Sequence, residues 1–410
     1  MANQQHTQPK MAVDAETVLA TLRDEVETKD VELAAQFYTL EDYYERKLWY
    51  QLSEVLKHQI YANDHSKSIR LKLFDNFILT FSDKINQLQL VEFLTLSLVD
   101  SSAHDSLEYL TNLKTKIIKE MDNRTHGAGV DDINDYEIIQ ALLYLEDELA
   151  RVKLELGFID EASAIIDQSE KKIEQLTSSV DLRVYASLYF VKAQLMKLRG
   201  DFNAFYYNSL LFLACIPDLN KLADKEQIVH DIAISGLLGD KIFNFGEVIM
   251  HDIFNYLQSA WLKGLVLSLN NGDLKSFNEL IGQTAQLQEL PDIANRVEFL
   301  KQKVCVMAFI ELVFNKPTTS RCISYTEILE QIPLLKNGHE IEHLVMRCLS
   351  LGLMRGLINQ VDENVEVSWI HPRTMTHAQV ESMRAKMALW NEKVGALTEY
   401  MGGCGGEVLA

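Results

Sequence analysis

The stretch ISYTEILEQIPLLKNGHEIEHLVMRCLSLGLMRGLINQVDENVEVSWI, residues 323–370, carries the pattern on which the fold turns. Ser324-Tyr325-Thr326-Glu327 has the form of a capping box, and Ile323 with Ile328 supplies the hydrophobic staple around it. A helix is therefore predicted to start there and to stop near Pro333. Asn337 followed by Glu340 repeats the cap signature. It opens a second helix whose apolar residues Ile341, Leu344, Val345, Cys348 and Leu349 fall at i, i+3, i+4, i+7 and i+8. That helix is expected to end at Gly352 or Gly356. Beyond it, residues 357–361 and 365–370 read as strands joined by Asp362-Glu363-Asn364. In the second, Val365, Val367 and Trp369 alternate with Glu366 and Ser368, the period of a half-buried strand. Helix, turn, helix and hairpin predict a winged helix over 316–373.

Downstream, Thr376 with Gln379, stapled by Met375 and Val380, forms a third capping box and starts a long helix over 374–402. Its apolar residues Val380, Met383, Met387, Trp390, Val394, Leu397 and Met401 are spaced alternately by three and four, which is a heptad seam. Gly402-Gly403 is expected to end it, leaving residues 403–410 disordered. Exposing seven large apolar side chains would forgo about 10 to 20 kcal/mol at about 1.5 to 3 each, so something must cover them. The helix can fold back on its own winged helix or join a bundle with helices of other chains. Its terminal position, the preceding Pro372 and the strict register favour the bundle.

Upstream, residues 1–11 are expected to be disordered, and 12–315 shows helix patterns joined by short breaks. An apolar helix end, a glycine, often an aspartate and a new amphipathic run recur at Gly157, Gly200-Asp201, Gly239-Asp240 and Gly272-Asp273. A glycine supplies a left-handed C-cap and an aspartate can cap the next helix. The spacing, a few tens of residues, suits helix pairs of the tetratricopeptide and HEAT types. The fold class that follows is mainly α: a helical-repeat solenoid, then a winged helix, then a long C-terminal helix.

The composition limits function. The chain has 410 residues with 39 Lys and Arg against 59 Asp and Glu, a net charge of −20. Broad neutralisation of nucleic-acid phosphates needs the opposite balance. A winged helix invites a DNA-binding reading, but Glu340 and Glu342 would face the phosphates. Apolar runs such as 210–216 and 304–310 fall far short of the roughly 20 residues of a membrane span. MANQQHTQPK lacks the pattern of a secretory signal. The 5 cysteines lack CxxC spacing, which fits free thiols in cytosol or nucleus. Buried small hydrophobes are the expected role for Cys215, Cys305 and Cys348, rather than nucleophiles.

The one enzyme-like pattern is His339-Glu340-Ile341-Glu342-His343, which satisfies both HExxH and HxxEH. Two histidines four apart on a helix can share a zinc ion with a glutamate as general base. Here His339 would lie in the fraying first turn, and the nearest third ligands are Glu363 and Glu366 in or beside the hairpin. A zinc metalloprotease through His339, Glu340 and His343 is thus the minor reading; no catalytic residue, metal or cofactor is expected. No phosphate loop, nucleophile elbow or dinucleotide fingerprint is present.

The order of helical repeats then winged helix resembles the PCI-domain family of scaffold subunits found in the proteasome lid, the signalosome and an initiation-factor complex. YYERKLWYQL (43–52), SGLLGDKIFNFGEVIMH (235–251), the run 341–373 and MRAKMALWNEKV (383–394) carry the resemblance, which covers about residues 35 to 400 and lies nearest the lid members. It implies a non-catalytic scaffold of the cytoplasm and nucleus, acting in ubiquitin-dependent degradation. The implied partners are other PCI subunits, the deubiquitinase module and a ubiquitin receptor, with no nucleic acid and no membrane. It further implies that Val365, Val367 and Trp369 build the core face of a hairpin whose free backbone edge extends a neighbour's sheet. The seam from Val380 to Met401 would join a multi-subunit bundle.

Overall fold

Glycine closes a helix at three of the four expected places, and an aspartate caps the next helix at two of them. At Gly157, Gly200 and Gly272 the backbone is left-handed, with φ of 87°, 73° and 68°, a conformation glycine adopts without a Cβ penalty. After each, the next N–H reaches back to close the helix. Phe158 donates to the Lys153 carbonyl (2.9 Å), Asp201 to Met196 (3.1 Å) and Asp273 to Ser268 (2.9 Å). Asp201 and Asp273 then cap the following helices. Their carboxylates accept from the N–H groups of Asn203 and Ala204, and of Lys275 and Ser276. The computed structural model describes residues 15–27, 31–125, 132–176, 179–217, 222, 224–282, 290–316, 321–373 and 377–405.

Gly239-Asp240 departs from the expectation. Gly239 is extended, with φ −68° and ψ 131°, and Asp240 starts no helix. The chain instead buries Ile242, Phe243 and Phe245 before a short helix at Gly246–Met250. The cause is Lys303, 2% exposed. Its Nζ donates to the carbonyls of Gly236 (2.7 Å), Leu237 (3.1 Å) and Gly239 (2.8 Å) at the end of the helix Lys225–Leu238. A distant cation thus satisfies carbonyls that a glycine cap would otherwise have served. The rings of Phe243, Phe245 and Phe299 lie 5.2–5.8 Å from the same ammonium.

The chain divides into two compact units, residues 1–217 and 218–410. In the first, helices Asp132–Glu155, Ile159–Gln175, Leu182–Arg199 and Phe202–Cys215 pack in succession on a core that runs from Val18 to Leu195. In the second, the helix Val297–Asn315 is central. It buries Leu300, Val304, Met307, Phe309, Ile310 and Val313. It packs against helices Ala260–Asn271 and Leu274–Ile281 on the repeat side and against both winged-helix helices, Tyr325–Gln331 and Gly338–Ser350.

The winged helix follows its sequence signals with local differences. The Ser324 hydroxyl accepts from the Glu327 N–H (3.4 Å), and both staple residues, Ile323 and Ile328, are buried. Asn337 holds the N-cap position but makes no side-chain cap bond. The Glu340 carboxylate reaches one residue further back and accepts from the Lys336 N–H (2.7 Å). Ile341, Leu344, Val345 and Cys348 are buried as their spacing requires. The second helix closes at Gly352, φ 71°, so the hairpin begins earlier than expected.

The sheet has three strands, β1 (Cys322–Ser324), β2 (Met354–Asn359) and β3 (Asn364–Ile370), in the antiparallel order β1-β3-β2. The strand expected over 357–361 is β2. The β1 strand was not expected, because three residues are too few to show a period. Val365, opposite Ile323, and Val367 enter the core, but Trp369 does not. Pairing steps from Arg355 with Trp369 to Gly356 with Val367, so β3 carries one extra residue there. That bulge breaks the alternation and turns Trp369 outward. A Cβ at Gly356 would strike the Glu366 carbonyl oxygen, so the close approach requires glycine.

The last helix runs His377–Gly405, past Gly402-Gly403. Thr376 and Met375 of the third capping box lie outside the described residues, as do residues 1–11 and 406–410.

Two measurements test this packing. Burial pulls the Lys303 ammonium down to about 7 against the opposing pull of Asp240, so Lys303→Met is best compared with the parent at pH 6. It should cost about 2 to 4 kcal/mol in denaturant unfolding because three carbonyls lose their donor; an unchanged midpoint would contradict the capping role. Asp147 is fully buried on the helix Asp132–Glu155. Burial pushes its carboxyl well above the usual carboxylate range, offset in part by Ser169 and reinforced by Glu148 and Glu146. The folded state then holds this proton more tightly than the unfolded chain, so the group's contribution declines as pH rises above the ordinary carboxylate range. Asp147→Asn should therefore gain in melting temperature over the parent as pH is raised from 5 to 8.

Candidate partner-binding surfaces

The last helix presents its apolar seam uncovered among the described residues. All seven seam residues are 40–69% exposed, and every side chain described between Val380 and Gly403 is exposed. The helix starts from a fixed point. Arg373, four residues before it, donates to the Glu311 carboxylate (3.0 Å) and to the Asn270 carbonyl. Sequence reasoning missed this tether, because a lone arginine before a helix has no periodic signature.

The hairpin residues divide by burial. Val365 and Val367 lie in the core, where they hold the sheet in shape. Trp369 is exposed, with the Arg355 guanidinium 5.1 Å from its ring and the His371 ring edge-on at 6.0 Å. The outer edge of β3 is taken by β1, so among the described residues the long free edge of the sheet belongs to β2. Beside that edge stand Leu357 and Val361, 72% and 93% exposed. Neither was singled out from the sequence, since the pairing of β2 with β3 that sets Leu357 opposite the exposed Glu366 is invisible in a linear pattern.

The paired histidines lie at the surface. His339 is exposed and sits 3.7 Å from Glu342, which also accepts from the Tyr325 hydroxyl (3.3 Å). Glu340 is engaged by the Lys336 N–H. His343 borders an open cleft of about 400 Å³ between the helices Val297–Asn315 and Gly338–Ser350, with Leu334, Leu344 and Arg347. Among the described residues no group of three or more His, Cys, Asp or Glu is placed to hold a metal ion. Burial pushes the Cys305 and Cys348 thiols up to about 11 and about 12, which keeps them protonated near neutral pH. No helix among the described residues is long and apolar enough to cross a membrane.

Comparison with known proteins agrees with this architecture. A family described as PSD13 N-terminal repeats matches residues 36–266, and the PCI domain matches residues 277–369. The chain is 38% identical to the 26S proteasome regulatory subunit RPN9 of Saccharomyces cerevisiae, across 95% of this chain and 96% of that protein. It is 34% identical to a probable 26S proteasome regulatory subunit rpn9 of Schizosaccharomyces pombe, across 93% and 94%. It is 31% identical to the 26S proteasome non-ATPase regulatory subunit 13 homolog B of Arabidopsis thaliana, across 88% and 92%. With its repeats, its winged helix and nearly its whole length matched in this way, the chain belongs to the PCI-domain family of 26S proteasome regulatory subunits that comprises RPN9 and non-ATPase regulatory subunit 13.

Proposed function

We propose that this protein is a non-catalytic scaffold subunit of the 26S proteasome lid, held there by its winged helix and its C-terminal helix and working in the cytoplasm and nucleus. The observation that carries the reading is the bare seam: seven apolar side chains in heptad register on a helix left uncovered among the described residues. Coiled-coil packing would cover them with helices of sister subunits. The free β2 edge, with Leu357 and Val361 beside it, supports a second contact in which a neighbouring PCI subunit adds its backbone to the sheet. Trp369 with Arg355 on its ring is the kind of pair that carries binding energy at interfaces. The deubiquitinase module and a ubiquitin receptor are the further partners such a strut would support.

Deleting residues 376–410 removes a helix whose described side chains are all exposed, so the remainder should melt at nearly the temperature of the full chain. In a reconstituted lid followed by native mass spectrometry, the truncated protein should be absent from the complete complex. Incorporation at the level of the full chain would refute the scaffold reading.

A further inference from the structure

The charges flanking the seam specify the kind of helix it accepts, and this inference rests on the bundle reading above. With Val380, Met387, Val394 and Met401 at the a positions and Met383, Trp390 and Leu397 at d, the flanking e positions are Arg384, Asn391 and Thr398. The g positions are Lys386, Lys393 and Tyr400. All the described charges beside the seam are therefore positive. The acids of the same stretch, Glu381, Glu392 and Glu399, fall at b and f, away from it. This segregation occurs on a chain whose net charge is −20, so it does not follow from composition.

Of the three cations, Arg384 is engaged by Glu381 at 2.6 Å on its own helix. Lys386 and Lys393 enter no ion pair among the described residues. Residues at e and g choose coiled-coil partners by charge. A second copy offers nothing to these lysines. In a parallel pair Lys386 and Lys393 would meet Asn391 and Thr398, and in an antiparallel pair lysine would meet lysine.

We infer that the seam takes a different chain, specifically a helix with an apolar a/d stripe flanked by Asp or Glu at its e and g positions, and that the charge pattern disfavours self-pairing. The broad apolar face supports more than one such helix, because Leu389 and Tyr400 extend it beyond a and d and are also exposed.

The test uses the full chain and two synthetic helices of about four heptads with one Leu/Ile seam, the first carrying Glu at every e and g position and the second Lys. The acidic helix should bind about tenfold or more tightly than the basic one near 50 mM salt, and the gap should close toward about 500 mM. Lys386→Glu with Lys393→Glu should reverse the preference, while Met387→Ala with Trp390→Ala should weaken both. Equal binding of the two helices that the Met387/Trp390 variant abolishes would overturn the charge assignment and leave the bundle reading standing. Binding of neither helix would overturn both. A full chain that sediments as a dimer at all salt concentrations would overturn the assignment of a different chain as the occupant.

Discussion

The second unit depends on the burial of one helix, Val297–Asn315. A winged helix of some fifty residues has little interior of its own, and this one completes its core on the side chains of that helix. The same helix carries Lys303, whose ammonium closes the end of Lys225–Leu238 and sets the path of the residues after Gly239. Glu311, further along it, holds Arg373 at the exit of the sheet. Repeat helices, wing and the root of the last helix are thus tied to one element. A buried cation with three acceptors and three ring faces is expensive to desolvate but fixes a unique arrangement.

What the tethered parts present outward is largely apolar. Among the described residues the wing has an unpaired strand edge with Leu357 and Val361 beside it, and the last helix has an exposed seam. The groups that could support chemistry are arranged otherwise. His339 and His343 are at the surface, with their neighbouring glutamates engaged in hydrogen bonds to the fold itself, and the Cys305 and Cys348 thiols are held in their protonated form. Rigid support behind an apolar, partly polar-rimmed face is the arrangement that association requires.

Local patterns were legible wherever one residue's neighbours in sequence are also its neighbours in space. The capping box at Ser324, the Gly200-Asp201 and Gly272-Asp273 turns and the buried stripe of Gly338–Ser350 all belong to this class, because their hydrogen bonds span three to five residues. The heptad register from Val380 to Met401 was legible for the same reason, and among the described residues it stands exposed.

The sequence by itself determined the succession of amphipathic helices, the winged-helix order and the position of the seam, since each is written in periodicities of 3.6, 2 or 3.5 residues. Only the tertiary structure decided that Gly239 would be capped by Lys303 from 64 residues away, that Cys322–Ser324 would take one edge of β3, and that a bulge beside Gly356 would turn Trp369 to the surface while its alternating partners Val365 and Val367 stayed inside. Those outcomes depend on which distant groups arrive with unsatisfied donors, acceptors or strand edges once the core has closed, and no local period encodes that meeting.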